Sequence, residues 1–233
     1  MPNLPILEDL ISGGIEYGTS LLVEFEPRSI WYETSLTIAA QALRNHIRTE
    51  YHTFTRPADK IREAFTRLGL DVIELEKSET LMINDDYTDQ IGVGTEEKGS
   101  FKLSDWSIFM AQGIKSGVSE SSKRRIHIDD NTGVLLQYND EKTMIDVWRT
   151  RSIPYRAKTC EDISLISFVA GVASESFYRK FEAMCDGIID FKSEEKEGRV
   201  EQFVRVGGMR GRPYESRWRR LRLLENGEVT LAD

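Results

Sequence analysis

Short apolar runs alternate with helically spaced apolar residues along most of this chain, and that alternation leaves few folds open. Residues 21–25 read as a strand, preceded by the turn Ser12-Gly13-Gly14. Leu36, Ala39, Ala40, Leu43 and Ile47 then recur at three- and four-residue spacing, the period of one helix face. Residues 51–55 form the next strand. Ile61, Ala64, Phe65 and Leu68 mark the next helix, with Pro57 in its first turn and Gly69 stopping it. Residues 81–83, 125–130, 163–170 and 187–191 supply further strands. Trp106, Phe109, Met110 and Ile114 mark another helix, and residues 92–99 a mobile, Gly-rich loop. Met144, Val147 and Trp148 mark a helix that must end before Pro154. Phe177, Tyr178, Phe181 and Met184 mark the last. Strands that alternate with helices run parallel, because each crossover returns the chain to the same end, and the helices cover both faces.

After residue 192 the pattern changes. Strand-like runs near 200–206, 216–223 and 228–231 are joined by turns such as Asn226-Gly227, a hairpin signature. The expected fold is α/β, with a mostly parallel central sheet flanked by helices. Residues 192–233 add antiparallel hairpin strands at its edge. The 233 residues suit one domain with a full core, and no repeat or low-complexity linker divides them.

Composition narrows the function. The net charge of -8 disfavours nonspecific attraction to nucleic acid. No apolar run approaches the roughly 20 residues of a membrane span. The acidic N-terminus lacks the basic region of a secretion signal. The expected location is the cytoplasm, away from membranes. Cys160 and Cys185 fit no metal knuckle or redox pair and are expected to be reduced. His46, His52 and His127 are scattered, so no metal site is expected.

In an open α/β sheet, ligands bind beyond the carboxyl ends of the strands. The first strand–loop–helix is the natural phosphate site, and a phosphate loop there reads GxxxxGK[ST]. This slot holds Pro27-Arg28-Ser29-Ile30-Trp31-Tyr32-Glu33-Thr34. Pro27 has no N–H to donate. Tyr32 resists close backbone approach. Glu33 reverses the charge of the usual lysine, and like charges at about 4 Å repel by about 4 kcal/mol at an effective dielectric of about 20. Thr34 keeps the hydroxyl that contacts Mg²⁺ in such loops. Read alone, the segment is either a phosphate loop with its parts replaced or an ordinary strand–helix connection.

Five places, in order, resemble the archaeal-type KaiC-like group of the RecA superfamily. They are the lead-in from Ile6 to Thr19, the strand and helix around residues 21–43, and Thr53-Phe54-Thr55-Arg56-Pro57 with the helix behind it. Ile126-His127-Ile128-Asp129-Asp130 is similar to a Walker B strand, and Val206-Gly207-Gly208-Met209-Arg210-Gly211 to the family's KMRG turn. The likeness runs from about residue 6 to residue 231. It implies a RecA-like fold and a vestigial nucleotide pocket of Pro27, Arg28, Trp31, Tyr32, Glu33, Thr34 and Asp129. It also exposes departures. Thr55 and Arg56 stand where the family's acids activate water, and Gly208 replaces the lysine that reaches a neighbouring subunit. With the Walker A lysine also gone, the resemblance implies a pseudo-ATPase with no catalytic residues and no cofactor, because phosphoryl transfer depends on positioning and charge neutralisation. Asp129 reads as a strand-end acid opening the turn Asp129-Asp130-Asn131-Thr132-Gly133. The alternative is a vestigial Mg²⁺ contact.

Between Arg199 and Arg222 lie eight arginines and two glutamates, a net of +6 that leaves -14 for the rest of the chain. Arg210, Arg212, Arg217, Trp218, Arg219, Arg220 and Arg222 form a candidate interaction surface. It is a solvated edge paired with internal acids, a protein-binding face, or a nucleic-acid contact. The expected function is regulation or signalling through protein binding, the partner being another copy or an active relative. One alternative is an accessory recombination or repair factor that binds DNA or a recombinase. The other is a nucleotide binder in which Arg28 and Thr34 hold phosphate and Trp31 or Tyr32 stacks a base. A monomer or small homo-oligomer is expected.

Overall fold

The computed structural model describes residues 2–97 and 124–232. The helix expected around Trp106–Ile114, and residues 98 and 99 of the expected loop, lie outside them. Among the described residues, nine strands form one sheet in the order β3-β2-β4-β5-β1-β6-β7-β8-β9. They are β1 (Ser20–Phe25), β2 (Thr49–Thr53), β3 (Leu81–Asp85), β4 (Ile126–Asp130), β5 (Ile163–Val169), β6 (Gly187–Lys196), β7 (Arg199–Met209), β8 (Arg219–Leu223) and β9 (Val229–Leu231). From β3 through β6 neighbouring strands run parallel. The pairs from β6 through β9 are antiparallel. The parallel core with an antiparallel edge agrees with the sequence reading.

Helices α1 (Pro5–Leu10), α2 (Trp31–Arg44), α3 (Ala58–Arg67) and α4 (Val72–Lys77) precede β3, and α5 (Asp86–Gln90) follows it. Leu21, Val23, Ile126, Ile128, Ile163 and Leu165 pack with Leu36, Ala39, Ala40 and Leu43 of α2 and Ile61 and Phe65 of α3 in one apolar core. The period of two turns the alternate residues of these strands to the other face. There Leu22, Ile166 and Phe168 meet Val134 and Leu135 of α6 (Thr132–Tyr138), Met144 of α7 (Glu141–Val147) and Phe177 and Phe181 of α8 (Glu175–Met184). Asp71, Asp140 and Ser174 cap α4, α7 and α8 by accepting from Glu74, Thr143 and Phe177 N–H groups. No side chain caps α2, whose N-cap is Ile30.

Several local expectations are corrected. β2 runs over Thr49–Thr53 rather than 51–55, because alternate polar side chains of β2 are buried in the sheet. Pro57 is the N-cap of α3, outside its first turn. Val72–Lys77 forms an unforeseen short helix. The turn expected at 129–133 instead opens α6 at Thr132, whose N–H donates to Asp130 Oδ1 at 3.3 Å. Helical structure also passes through Pro154 rather than ending before it. It widens to π-helix at Trp148–Ser152 and again at Arg156–Cys160, on either side of a short α-helical turn, Ile153–Tyr155. A wider turn relieves the clash between a proline ring and the preceding carbonyls and displaces the bond that the missing N–H would have made.

Candidate functional site

The phosphate-loop position leaves β1 at Phe25 and enters α2 at Trp31. Glu26 ties the loop to the neighbouring strand: its N–H donates to Phe191 O at 3.1 Å, and its carboxylate accepts from Ser193 N–H at 2.9 Å. Ser29 N–H turns back to Glu26 O. Gln202 on β7 then clamps the loop from above. Its Oε1 accepts from Ile30 N–H at 3.1 Å, and its Nε2 donates to Arg28 O at 3.2 Å. Ile30 N–H, at the start of α2, is thereby satisfied by protein.

The first turn of α2 faces inward. Trp31 is 4% exposed and packs on Phe191 and Phe25, with ring centroids 5.1 and 6.4 Å away. The Thr34 hydroxyl is buried and donates to Ile30 O at 2.7 Å. The Arg56 guanidinium lies 3.7 Å over the Tyr32 ring. Burial pushes the Tyr32 phenol up, with Arg56 acting against it. Pro27 and Arg28 are exposed and Glu33 is half-buried.

The two acids ending β4 point to opposite sides. Ile126 and Ile128 share the core under α2, so alternation sends Asp130 to that side and Asp129 away from it. Asp130 accepts from Thr55 Oγ1 at 2.6 Å, and burial pushes its carboxyl up. Asp129 lies in a polar cluster with His52 and His127, and burial raises its carboxyl to about 6. Among the described residues, no hydrogen bond or ion pair joins Asp129 to residues 27–34. Asp130 is the acid that sits beside Thr55 and Arg56. The spacing Ile126–Ile128–Asp130 carries that signal.

The arginines of the terminal segment reach separate partners. Arg212 donates to Gly14 O, Arg219 to Asp9 O and Arg210 to Ala183 O. Arg217 and Arg220 pair with Glu215 and Glu201, and Arg222 is exposed on β8. Trp218 instead borders a cavity of about 470 Å³ together with Glu24, Asp190, Lys192 and Arg205. Lys192 and Arg205 lie 4.3 and 4.6 Å over its ring. Arg205 also bonds Asp190 at 2.6 Å. Burial, then repulsion from Asp190 and Glu182, pushes Glu24 up to about 7. No residue from 27 to 34 lines this cavity.

The expectation that the histidines are scattered fails for two of the three. His52 and His127 meet with ring centroids 4.8 Å apart and planes tilted by 58°, and Glu50 joins them. Both rings are buried. The signal lay in Glu50–His52 and His127–Asp129, pairs at i and i+2 that fall on one face of β2 and β4, opposite Tyr51, Ile126 and Ile128.

A parallel sheet crossed by helices, a phosphate-loop position where its first strand meets a helix, and acids ending the β4 strand define a RecA-like α/β protein. A family model for the KaiC ATPase matches residues 4–230, and the chain belongs to that family. The KaiC-like protein PH0186 of the hyperthermophilic archaeon Pyrococcus horikoshii is similar in fold, with a TM-score of 0.71 at 17% identity over 100% of this chain and 97% of that one. The flagellar accessory protein FlaH of Methanocaldococcus jannaschii is also similar, with a TM-score of 0.74 at 11% identity over 100% and 98%. Among curated proteins nothing matches significantly.

Proposed function

We propose that this chain is a KaiC-family protein that does not hydrolyse ATP and acts by binding another protein. The observation that carries the reading is the state of the α2 N-terminus. Thr34, the residue at the Mg²⁺-contacting position, is buried with its hydroxyl on Ile30 O at 2.7 Å. Glu33 takes the lysine position, so the charge there opposes a triphosphate. Trp31 and the Gln202 clamp hold the loop in this form. Thr55 stands where the family places a water-activating acid, and its hydroxyl donates to Asp130. Positioning and charge neutralisation, the two means by which phosphoryl transfer is accelerated, both lack their usual groups.

The working surface on this reading is a protein interface, and the partner is a second copy or an active KaiC-family relative. The internal pairing of the terminal arginines supports a protein partner over a nucleic acid, which needs a continuous basic stripe. The test is ATP turnover and ATP affinity with Mg²⁺. The expected result is phosphate release no faster than in the Asp130→Ala and Asp129→Ala variants. Turnover that either substitution abolishes overturns the proposal.

A further inference from the structure

The face of the sheet turned away from α2 and α3 carries a buried polar cluster at β2, β3 and β4. Register assembles it: Glu50 lies beside His127 and His52 beside Asp129 across β2 and β4, while His52 lies beside Asn84 across β2 and β3. All five are less than a tenth exposed. One ligand atom from each of Glu50, His52 and His127 lies within 4.8 Å of the other two.

Charge and hydrogen bonding both leave this cluster incomplete. Glu50, Asp86, Asp129 and Asp162 are buried carboxylates, and Arg125 and Arg156 are the guanidiniums among them. With neutral imidazoles, four negative charges face two positive ones, and buried charge is costly unless it is balanced. Two protons or one divalent cation restore the balance.

Protons serve poorly. His52 Nε2 lies 2.8 Å from Glu50 Oε1 and 2.7 Å from Asn84 Nδ2, which is itself 3.0 Å from Oε1. An imidazole nitrogen donates or accepts but never does both, and the same holds for each end of an amide, whichever way it is flipped. With Glu50 ionised, no protonation of His52 and no flip of Asn84 satisfies all three sides of this triangle. His127 is fully buried, and neither of its ring nitrogens has a hydrogen-bond partner among the described residues. The Asp129 carboxylate stands 3.9 Å from its Nε2, beyond bonding distance. Buried polar atoms without partners are rare and call for a cause.

We propose that Glu50, His52 and His127 bind one first-row divalent transition-metal ion, with zinc as the reference case and Asp129 as the closing carboxylate. Two imidazoles with carboxylates are a donor set such ions take, whereas Mg²⁺ and Ca²⁺ prefer oxygen alone. An ion held by Nε2 and Oε1 accounts for their close approach, because a lone pair of each then points at the metal, and it leaves Asn84 free to donate to Oε1. The supporting shell is in place. Arg125 holds the other oxygen of Glu50 at 2.5 Å, and Asp86 stands 3.6 Å from His52 Nδ1, on the side of the ring away from the metal. The ion displaces the cluster's protons and ties β2 to β4.

The test uses the full chain. Metal is stripped in urea with a chelator, and the protein is refolded with ZnCl2, with CoCl2 or with chelator alone, because a buried site fills during folding. The expected results are about one ion per chain by elemental analysis after gel filtration, visible Co²⁺ ligand-field bands, and a melting temperature about 5 °C or more above the chelator sample. His127→Gln removes one ligand with a neutral side chain. It is expected to fold, judged by circular dichroism, and to lose both the ion and the temperature shift, whereas His46→Gln keeps them. Substoichiometric metal in refolded wild type with no temperature shift overturns the site, whatever the variants do. So does a His127→Gln protein that retains a full equivalent.

Discussion

Glu24 shows how a single side chain reports its surroundings. Its carboxyl sits at the cavity edge near Asp190 and Glu182. Burial and those two acids raise it from the usual carboxylate range to about 7, so the folded chain holds a proton that the unfolded chain releases. Its contribution to stability is full below about pH 4.5 and is lost as pH rises through about 7. Glu24→Gln removes this dependence. The urea midpoint of wild type is expected to fall relative to the variant between about pH 5 and pH 8, and two curves that stay parallel would refute the assignment. The cysteines give a second check. Both are buried free thiols, and burial pushes Cys185 up to about 12. Thiolates, not thiols, react, so iodoacetamide is expected to leave both untouched in the native protein and to modify both in urea. Their reduced state was legible from spacing alone. The convergence of His52 and His127 was not, because it depends on which strands become neighbours.

At the level of elements, periodicity located most strands and the stripes of α2, α3 and α8, since each buries one regular face. It failed where a local rule was overridden. Pro154 marked a stop, yet the chain continues helically by changing its hydrogen-bond register around that residue. The run Asp129–Gly133 has turn chemistry, yet Gly133 is placed in α6 by packing. A Cβ on Gly133 would lie 2.6 Å from Phe54 O and 2.8 Å from Phe54 Cβ. Alanine inside a helix is normally favoured over glycine by about 1 kcal/mol. Here Gly133→Ala is expected to cost about 1–3 kcal/mol by overpacking, read from chemical denaturation. A stabilised variant would show that α6 stands off from the end of β2. The pocket residues 27–34 were legible as a position, because the loop follows the first strand. The inward turn of Trp31 was not, since its partner Phe191 belongs to a strand far along the chain.

For the molecule as a whole, charge is segregated in sequence but mixed in space. The segment from Arg199 to Arg222 carries a net of +6, yet Arg212 pairs with Glu16 near the start of the chain and Arg205 with Asp190 on β6. The overall charge is -8. Single-stranded DNA is therefore expected not to bind at about 0.15 M salt, measured by fluorescence anisotropy. Binding that weakens steeply with salt would restore the nucleic-acid alternative. The parallel sheet with its antiparallel edge was legible because order along the chain dictates crossovers. The dispersal of the arginines was not, because carbonyl acceptors such as Gly14 and Asp9 leave no mark in composition.

Gln202 gives this architecture a mechanical consequence. A single amide on β7 grips both Arg28 and Ile30, so the antiparallel strands are tied directly to the loop that enters α2. On the proposed reading, a partner seated on the β7–β8 ribbon has a two-bond drawstring to the start of α2 through this one side chain.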